Sequence, residues 1–233
     1  MKNVIWKMEN ETLKIGIVTP APPGSRHGNR VTALRWARML RSLGHRVAIT
    51  QSYEGESYDL LVALHALRSH DAIKRFHCEH PERPLIVALT GTDLYRDLPR
   101  NELARQSLEL SSRLIVLQPK AFDELPKRLH PKTRVVYQSV KPFPQIRSPR
   151  VPIRNFQVCV IGHLREIKDP FRAAMAARLL PAVSSVRIIH VGGAMNERMA
   201  DRARREMQVN PRYQWIGEQP QWRVRQILMR SQL

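Results

Sequence analysis

The sequence predicts an α/β protein with two doubly wound, Rossmann-like domains built on parallel sheets, the second of them truncated. Short runs rich in Val, Ile and Leu alternate with longer amphipathic runs. One stretch, carrying Pro142, Pro144, Pro149 and Pro152 and little apolar content, breaks that alternation. The alternation then restarts and is still running when the 233-residue sequence ends.

In the first domain the expected strands are 14–19, 46–50, 59–65, 85–90, 114–117 and 135–138, and the expected helices are 29–43, 69–78, 101–110 and 120–128. Strands this short and this uniformly apolar are buried on both faces, which means a parallel sheet under helices. Gly44 permits a left-handed stop after Leu43, and Arg46-Val47-Ala48-Ile49 then opens a strand. In the second domain the expected strands are 157–162, 186–191 and 213–216, with helices at 170–180, 196–209 and 221–230. Pro170 suits a first helical turn, Asn196 a helix cap, and Asp201 and Arg205 an i,i+4 pair. The expected organisation is a flexible extension at 1–13, a first domain at 14–140, a stiff linker at 141–154 and a partial second domain at 155–233. Three βα units leave an open sheet edge and an uncovered apolar face, so a truncated form of a longer domain is expected.

The chain carries 39 Lys and Arg against 20 Asp and Glu, a formal charge of +19, spread over both halves. Nucleic-acid binders gather such charge into a stripe or an arm, so no nucleic-acid partner is expected, and an anionic small substrate fits the charge. No run is long and apolar enough to span a membrane, and residues 1–14 lack the apolar core of a secretory signal. Cys78 and Cys159 lie far apart, with Cys159 inside an apolar run, which points to a reducing, cytoplasmic setting. His77-Cys78-Glu79-His80 has no four-ligand spacing, so neither a metal nor another cofactor is expected.

The loop after the first strand, Gly24-Ser25-Arg26-His27-Gly28-Asn29-Arg30, places two glycines and two arginines ahead of a helix. A helix N-terminus with guanidinium groups beside it binds anions; the alternative is a Pro/Gly turn whose arginines point to water. Three residues separate Gly24 and Gly28, and Gln51-Ser52 come directly after the second strand, so the pattern is not a dinucleotide fingerprint. No Gly-Lys-Ser/Thr is present there either, which excludes a P-loop. Thr90-Gly91-Thr92-Asp93 sits where the fourth strand ends. Its hydroxyls suit an anion or sugar oxygen, and Asp93 either accepts a proton or sugar hydroxyl or caps the turn. Gly162-His163-Leu164-Arg165-Glu166-Ile167-Lys168-Asp169 opens the second domain in the same way. Arg165 and Lys168 there suit a diphosphate, unless they pair with Glu166 and Asp169.

Leu43-Gly44-His45-Arg46-Val47 and Gly162-His163-Leu164-Arg165-Glu166-Ile167-Lys168 resemble the helix–strand junction and the donor loop of family 4 GT-B glycosyltransferases. Lys168 falls on the family's lysine, while His163 stands where the family usually has arginine. Together with Val18-Thr19-Pro20-Ala21-Pro22-Pro23-Gly24-Ser25-Arg26-His27-Gly28-Asn29-Arg30, Thr90-Gly91-Thr92-Asp93-Leu94-Tyr95 and Asp169-Pro170-Phe171, the pattern looks like the selenosugar synthases of selenoneine biosynthesis. The resemblance implies a cytoplasmic glycosyltransferase that joins selenophosphate to the anomeric carbon of a UDP-sugar. It also implies three groups of residues. Gly24, Ser25, Arg26, Gly28, Asn29, Arg30 and Thr90 would bind the acceptor anion, Thr92, Asp93 and Arg30 would act in catalysis, and His163, Arg165 and Lys168 would hold the donor diphosphate. The family's paired-glutamate segment has no counterpart in this sequence. Three alternatives stand beside this reading: an O-glycosyltransferase with a sugar acceptor, an inactive fragment, and a basic nucleic-acid-associated module.

Overall fold

The computed structural model of the chain describes residues 11–25, 27–139 and 156–233. The chain divides into two compact units, Met1–Pro142 and Phe143–Leu233. Residues 1–10 of the expected extension and the whole of the expected linker at 141–154 lie outside the described residues, as does Arg26.

The first unit runs β1 (Lys14–Val18), α1 (Gly28–Ser42), β2 (Arg46–Thr50), β3 (Leu60–Leu64), α2 (His70–Glu79), β4 (Leu85–Ala88), α3 (Glu102–Leu110), β5 (Arg113–Val116) and β6 (Thr133–Val135). Its six strands form one sheet in the order β2-β1-β3-β4-β5-β6, and every pairing is parallel. Alternate residues of each strand feed opposite faces. Ile15, Ile17, Val62 and Leu64 join Ala33 and Ala37 of α1 in one apolar cluster, and Leu61, Ala63, Leu85 and Val87 join Ile73, Phe76 and Leu108 of α2 and α3 in another. Helices therefore cover both faces of the sheet.

The second unit runs β7 (Gln157–Ile161), α4 (Arg172–Arg178), β8 (Arg187–Val191), α5 (Glu197–Val209), β9 (Tyr213–Trp215) and α6 (Gln221–Arg230). Its sheet has the order β7-β8-β9, again all parallel. Leu164, Phe171, Ala174, Ile188, Met199, Ala203 and Tyr213 make its apolar core. Among the described residues no helix is long and apolar enough to cross a membrane.

Four local expectations are corrected. Residues 120–128 do not form an α-helix. Two 3-10 turns, Pro119–Glu124 and Lys127–Lys132, stand there, because Pro126 and Pro131 cannot donate to an α-helical ladder. The helix expected at 170–180 contracts to Arg172–Arg178. Asp169 takes a left-handed conformation before it (φ 43°), and Pro181 disfavours helix at the residue ahead of it. The last strand of the first sheet is Thr133–Val135 rather than 135–138. Asp201 pairs with Arg204 instead of Arg205, and Arg204 also reaches Glu197 at 2.7 Å. The Asn196 cap holds: its side chain accepts from the Met199 N–H at 3.0 Å.

Candidate functional site

In the first sheet the chain passes from β1 to β2 on one side and then to β3 on the other. The loops leaving the carboxyl ends of β1 and β3 therefore diverge, and that divergence is where open parallel sheets hold ligands. Three loops meet this edge: 19–27 after β1, 65–69 after β3 and 89–92 after β4.

The β1 loop is built by local rules. Ser25 N–H donates to Pro22 carbonyl at 3.2 Å, closing a turn over Pro23 and Gly24. Gly24 sits at φ 79°, which the third residue of a type II turn requires. Gly28 then opens α1, and a Cβ built on it would meet nothing within 4 Å. His27 holds the cap position without a side-chain cap bond, and the first turn of α1 carries no acidic residue. Among the described residues, no side-chain cap bond meets the leading N–H groups of this 15-residue helix. Ser25 Oγ and Arg30 Nε, both buried, have no hydrogen-bond partner among the described residues. Thr50 Oγ1 at the end of β2 has none either, and Thr50 backbone carbonyl accepts from Thr19 N–H on the same edge at 2.9 Å. Asn29 is half-buried beside Arg30. Buried polar atoms without partners are costly, about 1–3 kcal/mol each, and Ser25 Oγ and Arg30 Nε lie together at one helix start.

The β3 and β4 loops support each other. His65 is 1% exposed and adopts φ 81°, a left-handed conformation that costs a side-chain-bearing residue about 1–2 kcal/mol. The surroundings hold it there. Its Nδ1 accepts from Arg68 N–H at 3.3 Å, and its carbonyl accepts from Ser69 N–H at 3.1 Å. With Nδ1 accepting, Nε2 carries the proton, and it faces Thr92 Oγ1 at 3.5 Å and Asp97 Oδ2 at 3.6 Å. Burial lowers the His65 imidazole below its ordinary range, so the ring is neutral near pH 7. Asp97 Oδ1 accepts from Arg96 Nε at 2.8 Å, while buried Asp97 Oδ2 has no hydrogen bond among the described residues.

Asp93, expected to act in catalysis or to cap the turn, is held by backbone N–H groups. It is 0% exposed, and its carboxylate accepts from Gly91 N–H and Thr90 N–H, each at 2.9 Å, and from Ala66 N–H at 3.1 Å. Burial raises its carboxyl above the usual range, with His65 and the three N–H groups acting the other way. Both oxygens accept backbone N–H groups, and these bonds stitch the β4 loop to the β3 loop. The Ala66 peptide is held from its other side too: Ser107 Oγ donates to the Ala66 carbonyl at 2.7 Å, and Ser107 pairs with His70 Nδ1 at 2.9 Å. Sequence reading passed over His65, Thr50 and Ser107. The signal for His65 was its place at the end of an apolar strand, directly ahead of the Ala66-Leu67-Arg68-Ser69 loop.

In the second unit Gly162 and His163 leave the end of β7, and Gly192 and Gly193 leave the end of β8. Gly192 sits at φ 152°, and a Cβ there would lie 1.9 Å from the Gly162 carbonyl oxygen, so only glycine lets these backbones meet. His163 Nδ1 accepts from Gly193 N–H at 3.2 Å, so Nε2 carries the proton, with no hydrogen-bond partner among the described residues. Arg165 precedes a 3-10 turn, Glu166–Lys168, and both cations are exposed. Among the described residues, the neighbouring acids pair elsewhere: Glu166 with Arg198 at 3.8 Å and Asp169 with Arg172 at 2.6 Å. The surface pairing weighed against a ligand role for Arg165 and Lys168 is therefore absent among these residues. No group of three or more His, Cys, Asp or Glu able to hold a metal ion occurs among the described residues.

No protein-family model matches the chain, and no curated protein matches it. Solved structures do. Anabaena Alr3699/HepE in complex with UDP-glucose is similar over 93% of this chain and 71% of its own, with a TM-score of 0.61 and 17% identity. The lipopolysaccharide outer core galactosyltransferase WaaB in its apo form gives 94% and 72%, with a TM-score of 0.59 and 12% identity. AviGT4, a glycosyltransferase involved in avilamycin A biosynthesis, gives 94% and 68%, with a TM-score of 0.52 and 15% identity. The chain has the fold of the GT-B glycosyltransferases, two units of parallel α/β structure in succession.

Proposed function

We propose that the chain is a glycosyltransferase that moves a sugar from a UDP-sugar onto selenophosphate, forming a carbon–selenium bond. The observation that carries the acceptor half is the start of α1, with its uncapped N–H groups and with Ser25 Oγ and Arg30 Nε partnerless among the described residues. Such a site suits a small polyanion. The donor half is supported by the fold it shares with a protein solved with UDP-glucose and with a galactosyltransferase. It is supported also by two exposed cations after β7 that have no acidic partner among the described residues.

In this reading Arg26, Asn29, Arg30 and Thr92 hold selenophosphate, with Gly24, Ser25, Gly28 and Thr90 shaping the seat. A selenium lone pair attacks the anomeric carbon as the bond from that carbon to the diphosphate oxygen breaks, and UDP leaves with that electron pair. His163, Arg165 and Lys168 meet the charge that develops on the diphosphate, so no metal is required. Selenium in selenophosphate is already a strong nucleophile, so no base has to remove a proton. That suits a site whose Asp93 has both oxygens occupied by backbone N–H groups. A sugar hydroxyl would need a base, which separates the O-glycosyltransferase alternative. The catalysis required is alignment of two anionic partners plus stabilisation of the leaving group.

The test is turnover of UDP-sugars with and without selenophosphate, read as UDP release and as a selenium-containing glycosyl product by mass. Selenophosphate-dependent UDP release is expected. UDP release with sugar acceptors alone would replace this reading by O-glycosyl transfer. Steeply salt-dependent binding of duplex DNA without UDP binding would replace it by a nucleic-acid-associated module.

A further inference from the structure

A buried histidine in the centre of the second sheet has no part in the chemistry above. His190 lies on β8, the middle of three strands, and is 1% exposed. Its Nε2 contacts the Gly162 carbonyl at 3.1 Å, and its Nδ1 contacts Tyr213 Oη on β9 at 3.0 Å. A carbonyl only accepts, so Nε2 must carry the proton. In a neutral ring Nδ1 then accepts, and Tyr213 must donate. Burial holds the imidazole below its ordinary range, which keeps the ring neutral, and holds the Tyr213 phenol protonated. The result is a one-directional chain, from Tyr213 hydroxyl to His190 ring to Gly162 carbonyl.

That chain ends at the base of the loop after β7. Gly162 is the residue before His163, and it is gripped on every side. Its N–H donates to Val191 carbonyl at 2.9 Å, the Gly192 backbone presses against its carbonyl, and His163 is pinned through Gly193 N–H. Gly192 is held in turn, its carbonyl accepting from Trp215 Nε1 at 2.8 Å and its N–H donating to Gly217 carbonyl at 2.8 Å. A buried polar pair has a less costly apolar replacement in most cores, so its presence here calls for a reason.

We propose that His190 and Tyr213 are positioning residues for the anion-binding loop after β7: they fix the Gly162–His163 peptide so that His163 Nε2–H, Arg165 and Lys168 are preset for a nucleoside diphosphate. The proposal rests on the donor reading given above for its ligand, and on geometry alone for the positioning. Tyr213 and His190 touch no reacting atom. They act through one carbonyl.

The Tyr213→Phe variant keeps the ring packed against Phe171 and His190 and removes only the hydroxyl. His190 then loses the hydroxyl that donates to its Nδ1. UDP binding by the whole chain, measured by calorimetry, is expected to weaken roughly tenfold, in line with one lost buried hydrogen bond. His190→Gln, which keeps an amide N–H able to reach the Gly162 carbonyl, is expected to bind UDP more tightly than His190→Phe. The second readout needs no ligand: the His163 backbone amide signal in nitrogen-edited NMR, since the Gly162 carbonyl belongs to that peptide. It is expected to shift in Tyr213→Phe while amides of α5 stay in place. UDP affinity and a His163 amide both unchanged in Tyr213→Phe overturn the proposal, as does a general shift across the second unit. If the unaltered chain takes up no UDP, the donor reading fails, and the positioning claim stands or falls on the His163 amide.

Discussion

The two units each send a strand into a loop and the loop into a helix, yet they finish those loops in opposite ways. After β1 the loop is open. Gly24 needs its left-handed turn only to steer the chain, the space over Gly28 is empty, and Ser25 and Arg30 keep buried atoms without partners among the described residues. After β7 the base of the loop is closed. Gly162 is pressed by Gly192, its carbonyl is bonded to buried His190, and His163 is pinned by a backbone N–H. The cations differ accordingly. Arg30 sits half-buried in the first turn of a 15-residue helix, whereas Arg165 and Lys168 flank a three-residue 3-10 turn in the open. In the proposed function, the first loop's partnerless polar groups receive a compact anion, and the second loop's rigid base aims exposed cations at a larger one.

The largest expected effect breaks the closed loop. Gly192→Ala forces a Cβ to 1.9 Å from a backbone oxygen, where no flexible side chain can yield. It should cost the second unit about 3 kcal/mol or more, read by urea unfolding followed through β8 amide signals. The same change at Gly28, where a Cβ meets nothing, should stay within about 0.5 kcal/mol in the first unit. Equal costs at the two glycines would erase the contrast.

Next in size is a division of labour. Arg30→Ala should lower turnover roughly 100-fold, by loss of a preorganised cation, with UDP affinity unchanged. Lys168→Ala should weaken UDP binding roughly tenfold. Both effects are measured by steady-state kinetics beside calorimetry. If Arg30→Ala weakens UDP binding as much as Lys168→Ala does, the two loops do not serve different ligands.

The smallest effect is a difference in pH response. His190 is lowered in the folded second unit, so the folded state binds fewer protons than the unfolded one. Its contribution to stability is present above the unfolded imidazole value, about 6.5, and is lost as pH falls below it. The second unit should therefore lose stability between pH 7 and pH 5, and His190→Gln should flatten that slope. In the first unit, lowered His65 gives the same sign, but raised Asp93 gives the opposite one, because it favours the protonated folded form at low pH. Its slope over the same range should be shallower. Urea midpoints of β1 and β8 amides at the two pH values check both.

The parts of the fold that were legible in the sequence are those set by neighbours a few residues apart. Asn196 and Asn101 cap α5 and α3 because a short polar side chain reaches an N–H two or three residues on. Alternating apolar and amphipathic runs announced parallel strands under helices, and the turn at Pro22–Ser25 arises from proline and glycine geometry. Apolar spacing misled where two 3-10 turns replaced an α-helix at 119–132, since Pro126 and Pro131 interrupt the ladder there, and Pro170 lies ahead of α4 rather than in its first turn.

The site divides along the same line. The uncapped helix start used in the proposed function lies within Gly24, Ser25, Asn29 and Arg30, whose positions at a strand-to-helix junction need no distant partner. Which polar groups would stay free, and which would be consumed, depended on contacts across a whole βα unit. Asp93 reaches Ala66 over 27 residues, His190 reaches Gly162 over 28 and Tyr213 over 23. Propensity and spacing act over about one helical turn, so they could mark Asp93 as chemically able but not as buried, and they gave no sign that His65 would be held left-handed. Closing the sheet brings those separated residues together, and burial then decides that Asp93 and His190 are engaged by backbone and side-chain partners while Arg165 and Lys168 stay exposed.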